Sequence, residues 1–166
     1  MFDIQDAGAR FYTYSTTMAL AMESAAAVGL DFMVLDRPNP VNGDSIEGPV
    51  LEGGLSSFIS YLPVPVRHGF TMGELARLHN LTAELGARLT VVPLKGWRRS
   101  MWFDETGLPW TRPSPNLPDL DAAILYPGIA CFEAFNVSVG RGTQRPFRWV
   151  GAPWLDAAAA AELLNA

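Results

Sequence analysis

Short apolar runs alternate along the chain with segments of helix-forming residues, and this alternation limits the possible folds more than any other feature. The runs DFMVLD at 31–36 and ARLTVVPL at 87–94 indicate strands, and residues 13–28 and 71–85 carry helical patterns. The run at 31–36 is continuously apolar, which predicts a strand covered on both faces. The order therefore predicts an α/β fold, a doubly wound sheet with helices on both faces.

Local signals place further boundaries. Thr71 and Glu74 match a capping box, and Gly86 is suited to end the helix that follows. The remaining predicted elements are a strand tail at 2–4, a proline-broken edge strand at 57–66, a short helix from Pro127 to about residue 135, a strand at 147–153 and a last helix capped by Asp156.

Composition excludes several classes of function. The 166 residues carry a net charge of −5, so the chain lacks the basic surface that nucleic-acid binding requires. No apolar run reaches the length of a membrane span. A single cysteine rules out an internal disulfide and a cysteine-based metal site. Nucleotide-binding glycine loops, the serine-hydrolase elbow and the zinc-protease motif are absent from the sequence.

The chemistry that remains lies in long loops after the predicted strands, at 36–56 and 95–118. Ligands of such sheets bind beyond the carboxyl ends of the strands, so these loops are expected at the ligand edge. They combine carboxylates, amides, arginines and tryptophans. Aromatic faces pack on the apolar face of a sugar ring, amides and acids hold its hydroxyls, and arginines match an acidic substituent. This combination favours a site for an acidic sugar.

Each of these residues also has a purely structural interpretation. Asp36 and Arg37 can form a local ion pair, and Asn42-Gly43 is first of all a turn signal. Trp97 and Trp102 can form a small core beneath a long loop. The argument for a site therefore depends on clustering at strand ends and not on any single residue.

Several long blocks, however, resemble one protein family. They include FDIQDAGARFYTY, LDRPNPVNGDSIEGPVLE, PVPVRHGFTMGELA, LTVVPLKGWRRSMWFDETGLPWTRPSPNLP and YPGIACFEAFNVSVGRGTQRPF, followed by VGAPW. In order and spacing these blocks resemble the NamZ-type exo-β-N-acetylmuramidases. The resemblance runs from about residue 1 to residue 156.

The resemblance implies a glycoside hydrolase that releases N-acetylmuramic acid from the non-reducing end of peptidoglycan fragments, in cell-wall turnover and recycling. It implies a Rossmann-like three-layer sheet with helices on both faces, here incomplete at both ends, and no metal or organic cofactor. The expected partner is a peptidoglycan-derived sugar or muropeptide, with no nucleic acid and no membrane span, in a periplasmic or extracellular compartment.

Family members extend further at both ends, and an upstream "PEHG"-like motif with a candidate catalytic glutamate does not occur in this sequence. We therefore expect a central fragment, with residues 1–150 in the N-terminal catalytic domain and 151–166 at the start of a C-terminal domain. Such a fragment is expected to be inactive alone. The alternative is a non-catalytic module that binds muropeptides or sugars.

The resemblance and the loop positions together yield the candidate site residues. Glycosidases use two carboxyl groups, and the catalytic candidates at strand ends are Asp3, Asp6, Asp36 and Glu47. The lactyl carboxylate is expected at Arg10, Arg67, Arg98 or Arg141, and the sugar platform at Trp97 or Tyr12. The full substrate-binding set is Arg10, Tyr12, Asn39, Asn42, Arg67, His68, Trp97, Arg98, Asn136 and Arg141.

Overall fold

A computed structural model describes residues 1–165 of the chain. The chain forms two compact units, the first spanning Met1–Pro113 and the second beginning at Ser114. The domain boundary expected after residue 150 stays a prediction.

The first unit contains a parallel sheet that confirms the predicted α/β class. Strand β1, Phe32–Leu35, pairs in parallel with strand β4, Leu89–Val92, with Phe32 opposite Leu89. Phe2 adds a parallel bridge on the other side of β1, since its N–H donates to the Met33 carbonyl at 2.7 Å. The predicted strands at 2–4, 31–36 and 87–94 are thus present in shortened form, with their carboxyl ends at one edge.

Helices α1, Tyr14–Ala27, and α2, Met72–Thr82, pack with this sheet in one apolar core. The core takes up Phe32 and Val34 of β1, together with methionines and leucines of the helices. Burial along β1 alternates, and Met33 on the opposite face is 38% exposed. The continuous apolar run at 31–36 therefore does not mean burial on both faces within residues 1–165, because the helices of this unit pack on the same side.

Two features around α2 fix the loops at the sheet edge. The predicted capping box is confirmed, since the Thr71 side chain accepts from the Glu74 N–H and Glu74 accepts from the Thr71 N–H. Strands β2, Glu47–Val50, and β3, Pro65–Arg67, form an antiparallel pair just before the helix. Only the end of the predicted 57–66 strand survives, in β3, because residues 57–60 form a tight turn instead.

The second unit differs from expectation in two elements. Helix α3, Leu120–Ile129, begins at the Asp119 cap, so Pro127 lies in its last turns and not its first. A 3-10 turn, Ala130–Ala134, follows. The strand predicted at 147–153 is wrong, since Gly151 makes only an isolated bridge to Ser138. Helix α4, Ala157–Leu164, is capped by Asp156 as predicted.

None of the helices formed by residues 1–165 is long and apolar enough to cross a membrane.

Candidate functional site

The loops that follow the carboxyl ends of β1 and β4 are joined by direct hydrogen bonds. The Gly43 N–H donates to the Arg99 carbonyl at 2.7 Å, the Asn42 side chain donates to the Ser100 carbonyl at 2.9 Å, and the Phe103 N–H donates to the Pro40 carbonyl at 3.2 Å. The prediction that both loops meet at one edge therefore agrees with the local geometry, and the candidate residues on them share one neighbourhood.

Asp36 connects the end of β1 to the start of α2. Its Oδ1 accepts from the backbone N–H of Gly73 at 2.8 Å and of Arg37 at 3.0 Å, and its Oδ2 accepts from the Thr71 hydroxyl at 2.9 Å. A side chain at position 73 has no room, because a Cβ there lies 2.5 Å from Val91 and 2.8 Å from Asp36. Asp36 therefore organises the loop, since both of its carboxylate oxygens already accept hydrogen bonds from the protein.

Asp6 and His68 form a buried pair beneath the loops. The His68 Nε2 lies 3.2 Å from Asp6 Oδ2, and the side chains are 0% and 4% exposed. The Phe70 N–H donates to His68 Nδ1 at 3.1 Å, which assigns the proton of the neutral imidazole to Nε2, facing Asp6. Asp6 Oδ2 also accepts from the Gly8 N–H at 2.8 Å, whereas its buried Oδ1 has no hydrogen-bond partner within residues 1–165.

The two predicted asparagines stabilise the first loop. Buried Asn39 donates to the Phe70 carbonyl at 3.0 Å and accepts from the Val41 N–H at 3.0 Å. Asn42 has φ of 77° and accepts from the N–H groups of the next residues, Asp44 and Ser45. This is the backbone conformation that asparagine tolerates well in turns. The side-chain amides of both asparagines thus form hydrogen bonds with backbone groups. For Asn42, this agrees with the turn signal in the sequence.

Glu47, Arg67 and Trp102 form a contiguous cluster at the surface of this edge. Arg67 donates to Glu47 Oε2 at 3.0 Å and to the Val41 carbonyl, and its guanidinium lies 5.2 Å from the centre of the Trp102 ring. The Arg67 side chain is 10% exposed and that of Glu47 is 67% exposed. The second oxygen of Glu47 accepts no hydrogen bond from residues 1–165, so a carboxylate oriented by a buried arginine faces solvent.

The other predicted carboxylate, Asp3, pairs with Arg37 at 2.7 Å, and both side chains are about two-fifths exposed, at 42% and 41%. Such a pair is screened by water and fixes geometry weakly. Asp3 is therefore accessible but poorly oriented compared with Glu47.

Among the predicted arginines of the first unit, Arg10 and Arg98 differ in what they contact. Arg10 donates to the carbonyls of Pro49 and Val64, both at 2.7 Å, and so ties the ends of β2 and β3 together. Arg98 is exposed, and its guanidinium makes no hydrogen bond or ion pair with residues 1–165. The donors of the Arg98 guanidinium are thus not used within the described residues, and its part in ligand binding stays a prediction.

The two predicted aromatic platforms are both partly engaged. The Tyr12 hydroxyl donates to the Pro113 carbonyl at 2.6 Å, and the ring meets Tyr14 edge-on with centroids 4.9 Å apart. Trp97 is half-buried, and its indole N–H is buried without a hydrogen-bond acceptor in the described chain. Their role in sugar binding stays a prediction.

Two predicted residues belong to the second unit. Asn136 is exposed, and Arg141 makes two hydrogen bonds to the carboxylate of Glu133. The hydrogen bond to Glu133 raises the pKa of Arg141. Burial opposes this rise with a smaller effect, and the charge of Glu133 adds to the rise. Both residues belong to the second unit, and their role in substrate binding stays a prediction.

Sequence reasoning missed Arg99. Its guanidinium donates to the carbonyls of Gly43 and Gly69, at 2.7 and 3.0 Å, and to Glu74 at 2.6 Å. It therefore joins the loop after β1, the segment before α2 and the loop after β4. Nothing in the sequence distinguishes Arg99 from Arg98, because only the loop conformation decides which guanidinium turns inward.

Histidine, cysteine and carboxylate side chains within residues 1–165 form no group of three or more that could hold a metal ion.

The chain matches two family models. The model described as "Exo-beta-N-acetylmuramidase NamZ, N-terminal" matches residues 1–121, and the corresponding C-terminal model matches residues 124–166. The chain is 52% identical over 165 residues to "Peptidoglycan beta-N-acetylmuramidase NamZ" of Bacillus subtilis (strain 168), an alignment that covers 99% of this chain and 40% of that protein.

Two crystal structures of DUF1343 family proteins from Bacteroides fragilis NCTC 9343 are similar to the chain. One has a TM-score of 0.89 and 43% identity, covering 98% of this chain and 43% of that one. The other has a TM-score of 0.81 and 40% identity, covering 90% of this chain and 42% of that one. The chain thus spans about two-fifths of the length of these relatives.

Proposed function

The chain belongs to the NamZ family, and from that premise we propose that it forms the sugar-binding and part of the catalytic region of an exo-β-N-acetylmuramidase. The reaction is hydrolysis of the β-1,4 bond that links a non-reducing N-acetylmuramic acid to the next sugar of a peptidoglycan fragment. The observation that carries this proposal is the 52% identity to the Bacillus subtilis peptidoglycan β-N-acetylmuramidase over 99% of the chain. The cluster of polar side chains at the strand ends supports it.

We assign the accessible carboxylate of this region to Glu47. Of the four candidates, Asp6 is buried, Asp36 uses both oxygens within the protein, and Asp3 is held only by an exposed arginine. Glu47 has one oxygen fixed by Arg67 and one directed to solvent. A carboxylate held in this way can accept a proton from water or from a sugar hydroxyl, which are the roles of a base or of a substrate-orienting group.

We assign recognition of the lactyl carboxylate to Arg98. The guanidinium fork matches the two oxygens of a carboxylate, but only if its donors are not already used. The side chains of Arg10, Arg67 and Arg141 each donate to protein acceptors, whereas the Arg98 guanidinium has no such acceptor within residues 1–165. Arg98 also lies in the loop that follows β4, at the edge where the other candidates meet.

Glu47→Gln tests the catalytic part of the proposal. Loss of an acid–base group costs roughly 10²–10⁴-fold in rate, so hydrolysis of a chromogenic N-acetylmuramide is expected to fall by at least about 100-fold. Glu52→Gln is the matched control, because Glu52 is an exposed glutamate just beyond the same strand. If Glu47→Gln keeps the rate of the control variant, the assignment of Glu47 is wrong.

Arg98→Ala tests the specificity part. The ratio of kcat/KM for a muramide over the matching glucosaminide is expected to fall about tenfold, since only the muramide carries the acid. Arg112→Ala, an exposed arginine further along the same loop, is the control. An unchanged ratio in Arg98→Ala contradicts this assignment.

A second candidate function is a module that holds muropeptides without cleaving them. It is favoured by the carboxylate geometry, because Glu47 alone among the four candidates is both oriented by a buried partner and open to solvent, whereas glycosidases generally need two such groups. The discriminating measurement is made on a longer polypeptide that contains this chain and supplies a second carboxyl group. Turnover of a muramide supports the enzyme, whereas calorimetric binding of N-acetylmuramic acid with no hydrolysis product supports the module. Inactivity of residues 1–166 alone is expected under both proposals and does not separate them.

A further inference from the structure

We infer that Trp102 is the stacking platform of this site and binds the apolar face of the muramic acid ring. The inference rests on the proposed function and adds to it the group that holds the pyranose. Trp102 lies in the loop after β4 and is half-buried. One face of its indole is covered by the guanidinium of Arg67, 5.2 Å from the ring centre. Arg67 is itself nearly buried, whereas Trp102 keeps part of its surface exposed, and that exposed part is what a ligand can contact.

The backbone on both sides of Trp102 is fixed. The Trp102 N–H donates to the Glu105 carboxylate at 2.7 Å, and the next residue, Phe103, donates its N–H to the Pro40 carbonyl. The Phe103 ring is buried and meets Trp110 edge-on at 4.9 Å. A half-exposed aromatic ring on such a backbone loses little conformational entropy when a ligand binds, which is the requirement for a preorganised platform.

The position of Arg67 explains why a sugar suits this surface. One guanidinium fixes both the indole and the Glu47 carboxylate, so a flat apolar surface and a hydrogen-bond acceptor lie side by side in a set arrangement. A pyranose presents the matching pair, with C–H groups on one face and hydroxyl and amide groups around its rim. Tyr12 and Trp97 stay candidates for the same role.

The test is binding of N-acetylmuramic acid to the purified protein by calorimetry, with Trp102→Phe, Trp102→Leu and Trp154→Leu. Trp102→Leu keeps apolar volume but removes the flat face, so its Kd is expected to rise about tenfold, whereas Trp102→Phe is expected to stay within about threefold. Trp154→Leu is the control, because Trp154 is an exposed tryptophan of the second unit and its Kd is expected to stay unchanged. A Kd of Trp102→Leu within about twofold of wild type overturns the inference.

Tryptophan emission provides a readout that does not depend on the stability of the leucine variant. If the sugar stacks on Trp102, the emission change that accompanies binding in the wild type disappears in Trp102→Phe, although four other tryptophans remain. An emission change that persists at full amplitude in Trp102→Phe also overturns the inference. Failure of the proposed function looks different, because then the wild-type protein itself binds neither N-acetylmuramic acid nor a muropeptide.

Discussion

Two arginines of the molecule make the same kinds of contact with opposite exposure. Arg67 pairs with Glu47 and lies over the Trp102 ring, and Arg141 pairs with Glu133 and lies over the Phe147 ring at 4.7 Å. In the first cluster the arginine is 10% exposed and its partners reach solvent. In the second cluster Phe147 is buried, and the arginine is 47% exposed. The two clusters, each an arginine with a glutamate and an aromatic ring, therefore differ in the ring, which is partly exposed beside the acid in the first unit and buried in the second.

The largest effect is expected when the two arginines are replaced by methionine. Arg67→Met leaves the buried Val41 carbonyl without its donor, which should lower the free energy of unfolding by roughly 2–3 kcal/mol, whereas loss of the partner of the exposed Glu47 adds little. Arg141→Met removes an exposed pair and is expected to cost at most about 1 kcal/mol. Urea unfolding measures the free energy of unfolding of both variants. Similar losses in the two variants would contradict the contrast between the two clusters.

A second contrast concerns Arg99 and Arg88, two arginines whose side chains differ in the number of chain segments that they join. Arg99→Ala removes donors to three separate segments and is expected to cost about 2 kcal/mol, because hydrogen bonds from charged groups are stronger than neutral ones. Within residues 1–165 the Arg88 side chain donates only to Asp31 and the nearby Gly29 carbonyl, so Arg88→Ala should cost less than about 1 kcal/mol. A larger loss in Arg88→Ala than in Arg99→Ala contradicts the role assigned to Arg99.

The third prediction concerns a glutamate, Glu23, that accepts from a tyrosine hydroxyl and also lies 2.7 Å from His79 Nε2. The Tyr61 hydroxyl donates to Glu23 at 2.8 Å, and this hydrogen bond, followed by burial and the charge of Glu23, raises the pKa of Tyr61 above its ordinary 10.0. A raised pKa stabilises the fold below the unfolded value and is lost as pH rises through the folded value. Tyr61→Phe should therefore cost about 1 kcal/mol at neutral pH and flatten the decline in stability above about pH 10.

Unfolding as a function of pH measures this effect, with Tyr14→Phe as the control, since its hydroxyl makes no hydrogen bond with residues 1–165. If the free energy of unfolding declines equally above about pH 10 in the wild type and in Tyr61→Phe, the role assigned to the Tyr61 hydroxyl is wrong.

The smallest effect is expected in the salt dependence of the two pairs. At about 1 M salt the screening length is about 3 Å, so a double-mutant cycle on Arg141 and Glu133 should lose most of a coupling energy that is already below about 1 kcal/mol. The cycle on Arg67 and Glu47 should keep a larger share, because Arg67 is shielded from solvent. Equal salt sensitivity of the two cycles would show that burial of Arg67 has no electrostatic consequence.

The elements predicted correctly are those whose signals are local. The capping box at Thr71, the cap at Asp156 and helix α1 depend on neighbouring residues, and each is present. The errors arise where distant contacts decide. The 147–153 segment has strand-like residues but only one bridge partner, and the apolar run at 31–36 has helices on one side within its own unit.

For the candidate site, the sequence predicted that the loops after two strands meet, but only part of what their residues do. Strand order placed the loops after β1 and β4 at one edge, and their hydrogen bonds agree with that. The sequence could not show whether Asn39, Asn42 and Asp36 form hydrogen bonds with the backbone or with a ligand, because amide and carboxylate side chains are suited to either role. It also could not separate Arg98 from Arg99, whose opposite directions depend on the turn of the loop between them and Trp102.

The environment of Gly73 has a consequence for how a negatively charged substrate can be bound. The amino terminus of a helix carries partial positive charge and commonly binds anions. At α2 this end is already occupied, since Asp36 accepts from Gly73 and Glu74 accepts from Thr71. Because two carboxylates already accept from this helix terminus, the proposed binding of an acidic sugar at this edge relies on cationic side chains and not on the helix.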